Sequence, residues 1–109
     1  MCVEVSSTIE VGPQNITSYS QSTVNFTCTS DGPTDIYWKY AASVDNSTVN
    51  IFDGRGRNEK LFDERFVKTV NGFTSILTIH EVQTSDAGVY SCRERTSPAQ
   101  WSAQLNVIG

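Results

Sequence analysis

The sequence is poor in histidine, in basic residues and in long apolar runs, and each shortage removes a class of function. His80 is the only histidine, so a histidine-cluster metal site is excluded. A catalytic role for it would need a nucleophile and an orienting acid nearby; at the edge of a strand it reads as a solvated surface residue. Eight lysines and arginines stand against twelve aspartates and glutamates, a net charge of -4. That balance does not supply the basic face that displaces counterions from phosphates, which argues against nucleic acid as a partner. It equally disfavours docking on anionic lipid. No apolar run is long enough to span a bilayer, so membrane attachment is expected only through segments outside this sequence. The opening Met1-Cys2-Val3-Glu4 has neither the basic start nor the apolar stretch of a secretion signal. It reads as a mature fragment of a larger ectodomain with an added initiator methionine.

What is present fits one module. At 109 residues and 38% hydrophobic content, residues 1–109 are long enough to bury one core without a structural metal. No repeat, low-complexity segment or linker divides them. Three glycosylation sequons, Asn15-Ile16-Thr17, Asn25-Phe26-Thr27 and Asn46-Ser47-Thr48, point to the secretory pathway and a surface glycoprotein. Three cysteines allow at most one internal bridge and leave one over. Cys2, near the terminus, reads as a frayed or remnant position, with an interchain bridge as the alternative.

Along the chain, Val3, Val5, Ile9 and Val11 nearly alternate before Gly12-Pro13 interrupts them, which predicts a split first strand. Val24, Phe26 and Cys28 share one parity and Asn25 and Thr27 the other, the pattern of a half-buried strand. Ile36 to Tyr40 predicts a strand with Ile36, Trp38 and Tyr40 inward and Tyr37 and Lys39 outward. A short strand is expected over Thr48 to Phe52, then a turn at Asp53-Gly54-Arg55-Gly56-Arg57 and another short strand around Lys60-Leu61-Phe62. Gly54 and Gly56 do not make a phosphate loop, because no lysine or helix pattern follows at the required spacing. Strands are expected from Arg65 and over Phe73 to Ile79, joined by the favoured hairpin turn Asn71-Gly72. A further strand runs over Gly88 to Arg93, with Tyr90 and Cys92 inward and Val89, Ser91 and Arg93 outward. The last strand turns Leu105 and Val107 to the core.

Cys28, Trp38 ten residues later, Leu77, and Asp86-Ala87-Gly88-Val89-Tyr90-Ser91-Cys92 together resemble the pattern of the immunoglobulin superfamily. The likeness covers essentially the whole chain. It implies an all-β, two-sheet Greek-key sandwich held by a Cys28–Cys92 bridge, with Trp38 packed on that bridge and Tyr90 as the corner tyrosine. Such a bridge persists in an oxidising compartment. The 63 residues between Cys28 and Cys92, and an Arg65/Asp86 pair closing one end, resemble the variable-type (V-set) domain. The intermediate (I-set) type is the alternative, since the region after Trp38 is short. Ala99-Gln100-Trp101-Ser102-Ala103 departs from antigen-receptor domains, which have a Gly-x-Gly bulge there; the strand is therefore expected to run straighter. The resemblance is to a non-rearranging cell-surface receptor or adhesion molecule.

No enzyme and no cofactor are implied. Asp53, Asp63 and Glu64 form no dedicated calcium loop, and the interleaved Arg55, Arg57, Lys60 and Arg65 make this region a mixed-charge rim. The expected binding face is the outer surface of the sheet that carries the Trp38 and Cys92 strands. Alternation places Tyr37, Lys39, Ser91, Arg93 and Arg95 there, with Trp101 alongside, and tyrosine, tryptophan and arginine are the residues interfaces favour. Trp101 is open at this stage: alternation from Leu105 turns it inward, and a one-residue shift in the preceding loop exposes it. A glycan on Asn25 would cover the other sheet. The expected partner is another immunoglobulin-like domain or a second copy, the latter a two-fold homodimer pairing basic strands with the acidic rim. The alternatives are a spacer without a ligand, and a receptor that grips a pathogen molecule or glycan with its loops, whose tips Ser30 to Thr34 and Thr96 to Gln100 lack an aromatic anchor.

Overall fold

Alternating apolar residues give the chain two layers. The computed structural model describes residues 9–32, 35–43 and 47–109, and among these ten strands form two sheets. They are β1 (Ile9–Val11), β2 (Ile16–Tyr19), β3 (Val24–Ser30), β4 (Ile36–Ala41), β5 (Val49–Asp53), β6 (Gly56–Arg57), β7 (Phe66–Asn71), β8 (Thr74–Ile79), β9 (Gly88–Glu94) and β10 (Gln100–Ile108). One sheet has the order β1-β3-β8-β7 and the other β2-β10-β9-β4-β5-β6. The break at Gly12-Pro13 lets the first strand change sheets: β1 lies antiparallel to β3, and β2 runs parallel to β10. The part of the first-strand pattern before Ile9, and Cys2, fall outside the described residues. Pairing of β10 with β9 runs from Gln100 opposite Arg93 to Leu105 opposite Gly88 without a shift, as expected of a strand lacking the glycine bulge.

The Cys28–Cys92 disulfide joins β3 to β9, and therefore one sheet to the other, across a Cα separation of 6.5 Å. Trp38 is fully buried, and its indole N–H donates to Ser75 Oγ at 2.9 Å, so the ring is buried without an orphaned donor. From this centre an aromatic series descends through the core. Phe26 stacks on Tyr90 at 5.0 Å, Tyr90 meets Tyr40 at 5.1 Å, and Tyr40 meets Phe62 edge-on at 6.2 Å.

The lower end is closed by polar bonds. Arg65 grips Asp86 with two parallel bonds, Nη1 to Oδ2 at 2.8 Å and Nη2 to Oδ1 at 3.1 Å. Asp86 Oδ2 also accepts the Gln83 N–H at 2.8 Å, and the Asp86 carbonyl accepts the Tyr90 hydroxyl at 2.6 Å. Gly88 is required beside this corner. Its φ is +151°, and a Cβ there would stand 2.6 Å from the Ala41 carbonyl oxygen.

Burial, with the Asp86 carboxylate next in importance, raises the ionisation of Tyr90 and Tyr40 above the ordinary phenol value of 10.0. The native state thus keeps protons that the unfolded chain releases. Stability is fully present below pH 10 and falls as the pH rises past it, by up to about 1.4 kcal/mol per pH unit for Tyr90 and by less for the partly buried Tyr40. Urea midpoints at about pH 9 and about pH 11 should show this loss, with unfolding at the higher pH adding the phenolate absorbance of Tyr40 and Tyr90.

One expected strand is corrected. Lys60-Leu61-Phe62 is a turn, because the Asn58 carbonyl accepts the N–H groups of both Leu61 and Phe62 and the Asn58 side chain bonds the Asn50 carbonyl. Its place beside β5 is taken by Gly56–Arg57, immediately after the Gly54-Arg55 turn. Among the described residues no helix is long and apolar enough to cross a membrane.

Candidate functional site

The outer surface of the six-stranded sheet is built from cross-strand rows. Gln100 of β10, Arg93 of β9 and Tyr37 of β4 form one row, and Ser102, Ser91, Lys39 and Asn50 form the next. The Arg93 guanidinium lies over the Tyr37 ring at 5.3 Å from its centroid, a cation–π contact. Arg93 Nη1 also donates to the carbonyls of Glu94 (3.3 Å), Arg95 (3.4 Å) and Ser97 (3.0 Å). This residue therefore fastens the loop between β9 and β10 as well as presenting charge. Arg95 is exposed, and its N–H bonds the Asp35 carbonyl at 2.9 Å. On the other flank the β5–β6 turn meets the Tyr37 hydroxyl, and a Cβ on Gly54 would stand 3.1 Å from it. Tyr37, Lys39, Arg93 and Arg95 are thus gathered on one face.

Two expected members are not on that surface. Ser91 has the outward parity but is 1% exposed; its hydroxyl pairs with Ser102 Oγ at 2.7 Å between longer neighbours, and it cannot touch a partner. Trp101 lies opposite Cys92, so it shares the inward side of the sheet. It is nonetheless 49% exposed, because it stands at the end of the sandwich against Gly12, where a Cβ would come within 3.0 Å of the Trp101 Cβ. Alternation gave its side and the sandwich's open end gives its exposure.

Asn25 is exposed on the outer face of the four-stranded sheet, where its Oδ1 accepts the Thr78 hydroxyl at 2.6 Å. Asn15 is exposed at the β2 edge, its Oδ1 accepting the Gln104 N–H at 2.9 Å. Asn46 lies outside the described residues. His80 is exposed.

At the rim, the Arg65 backbone N–H, with further help from the Arg65 side chain, holds the Asp63 carboxyl below the usual carboxylate range. Glu59 approaches Arg57 at 4.0 Å. Among the described residues no group of three histidine, cysteine or carboxylate side chains could hold a metal ion. Sequence reasoning overlooked Glu94, which is 1% exposed and whose Oε1 has no hydrogen-bond partner among the described residues. Its parity with Cys92, two residues earlier, was the available signal.

A family model described as an immunoglobulin domain matches residues 8–95. Among curated proteins none matches the chain in sequence. Similar solved structures include titin domain M7, at 21% identity and a TM-score of 0.69 over 94% of each chain. Titin M4 in a trigonal form is 14% identical, with a TM-score of 0.71 over 98% of this chain and 100% of that one. The I9-I11 tandem from titin is 17% identical with a TM-score of 0.72, covering 94% of this chain and 33% of the tandem. At these identities the likeness establishes the fold alone.

Proposed function

We propose that this chain, which belongs to the immunoglobulin-domain family, is a V-set or I-set recognition module of an extracellular, cell-surface receptor or adhesion molecule. It meets another immunoglobulin-like domain through the outer face of β4, β9 and β10. The observation that carries this reading is the Tyr37–Arg93 stack flanked by Lys39 and Arg95, an aromatic and basic patch on a domain of net charge -4. The disulfide and the sequons support passage through the oxidising secretory route. A glycan on Asn25 would leave the six-stranded sheet as the open one.

The partner that the charges fit best is a second copy, whose rim residues Asp53, Asp63 and Glu64 offer the acidic complement across a two-fold axis. Sedimentation velocity over a concentration series tests this. The Lys39→Glu, Arg95→Glu variant should self-associate at least roughly tenfold more weakly, about 1.4 kcal/mol, and addition of salt should weaken the unmodified domain in the same direction. Arg93 is left in place because it holds the β9–β10 loop. Identical sedimentation of variant and parent, both concentration-independent, would remove self-recognition. It would favour the second reading, a spacer without a ligand of its own.

A further inference from the structure

A second feature lies on the other side of the six-stranded sheet, at the end of the sandwich where β1 begins. Ile9, Glu94, Ser97, Ala99 and Trp101 line a recess of about 150 Å³. Its walls are an isoleucine, an alanine methyl and an indole, and Glu94 supplies the carboxylate. Glu94 is the last residue of β9, opposite Ile36 of β4, and is 1% exposed with Oε1 unpartnered. The ion pairs formed among the described residues involve Arg57 and Arg65, not this acid. The nearby Arg93 guanidinium is turned to the carbonyls of Glu94, Arg95 and Ser97 instead.

A carboxylate withdrawn from water without a counter-charge is costly to fold around. A cation delivered from outside would remove that cost, and the half-exposed indole beside it attracts cations through its ring face. The narrow apolar walls suit a slim polymethylene stem. A single recessed acceptor oxygen suits a compact ammonium better than a guanidinium, whose planar fork asks for two. We propose that this recess is a binding site for a primary alkylammonium group, presented as a lysine side chain of a protein partner. The inference does not depend on the Tyr37–Arg93 face, since the two surfaces lie on opposite sides of the sheet.

The test uses the indole N–H resonances of the folded domain, which has two tryptophans; buried Trp38 serves as the internal reference. The domain is titrated with n-butylammonium chloride, with Nα-acetyl-lysine methylamide, with the arginine analogue of the latter, and with n-butanol at matched ionic strength. The lysine analogue and n-butylammonium should move the Trp101 signal along one saturable curve while Trp38 stays fixed. Apparent affinity should fall at least tenfold for n-butanol and in the Glu94→Gln variant. With the site empty, Glu94→Gln should also raise the melting temperature, because it removes a buried acid that no side chain among the described residues answers.

A non-saturating response, an equal response to n-butanol, an equal response in Glu94→Gln, or tighter binding of the arginine analogue would each overturn the proposal. So would a lowered melting temperature in Glu94→Gln, which would make Glu94 a structural partner. If that variant does not fold, the comparison of n-butylammonium with n-butanol on the parent protein decides alone.

Discussion

Replacing Cys28 and Cys92 together by alanine should lower the stability of this domain by about 4 kcal/mol on the chain-entropy model. The bridge spans a sequence separation of 64, so in the unfolded chain it closes a long loop and removes many conformations. A domain of this size has only about 5–15 kcal/mol in total, and the loss takes a large share of it. The sulfurs also sit in the fully buried centre beside Trp38, so alanine leaves unfilled volume that adds to the cost. Urea unfolding of the double variant, and of the parent with and without reductant, measures the effect. The reduced parent should fall close to the double variant, differing by the packing that the two thiols retain.

Asp86→Ala should be comparably severe, at roughly 3–5 kcal/mol. The carboxylate receives two bonds from Arg65 and one from the Gln83 N–H, and it is 7% exposed. Removing it leaves the guanidinium, whose side chain is 17% exposed, with only Asp63 and the carbonyls of His80 and Glu81 as partners among the described residues, and it strands an N–H of the turn that leads into β9. The Asp86 carbonyl that anchors Tyr90 would lose its fixed position as well. The Arg65→Met, Asp86→Leu double variant should cost less than the two single truncations added together, because neither charge is then left alone. Strict additivity in that cycle would show that the pair contributes no coupling and that the corner is held by Tyr90 and backbone bonds only.

The core strands were legible because their residues obey the two-residue period. Val24, Phe26 and Cys28 are buried and Asn25 and Thr27 exposed, as alternation required. A hairpin was legible here from its glycine, but the turn residues are Gly72 and Phe73 rather than Asn71 and Gly72: Asn71 ends β7 opposite Thr74, and Gly72, at the first turn position, has the positive φ of +63°. The strand expected at Lys60 to Phe62 failed for a local reason. Two residues suffice for β6 after the Gly54 turn, and the Asn58 carbonyl then captures the next two apolar residues into a turn.

The candidate face shows what parity can and cannot supply. It placed Tyr37, Lys39 and Arg93 on the correct side, and it also placed Ser91 there. Whether a short side chain reaches solvent depends on the length of its neighbours, however, and not on its own direction. Trp101 obeyed alternation and is still half exposed, where the first strand breaks at Gly12 and leaves the recess beside Ile9 open. Glu94 escaped notice because a charged residue is ordinarily assigned to solvent, and only the packed structure reveals a buried one.

The proposed interface is the outer face of β4, β9 and β10. Amide-shift mapping of the glycosylated domain across a dilution series tests it most directly. Concentration-dependent shifts centred on Tyr37, Lys39, Arg93, Arg95 and Ser102, with none on Thr27, Ile76 or Thr78 of the opposite sheet, are the predicted result. Shifts centred instead on β3 and β8, or spectra that do not change with concentration, would contradict it.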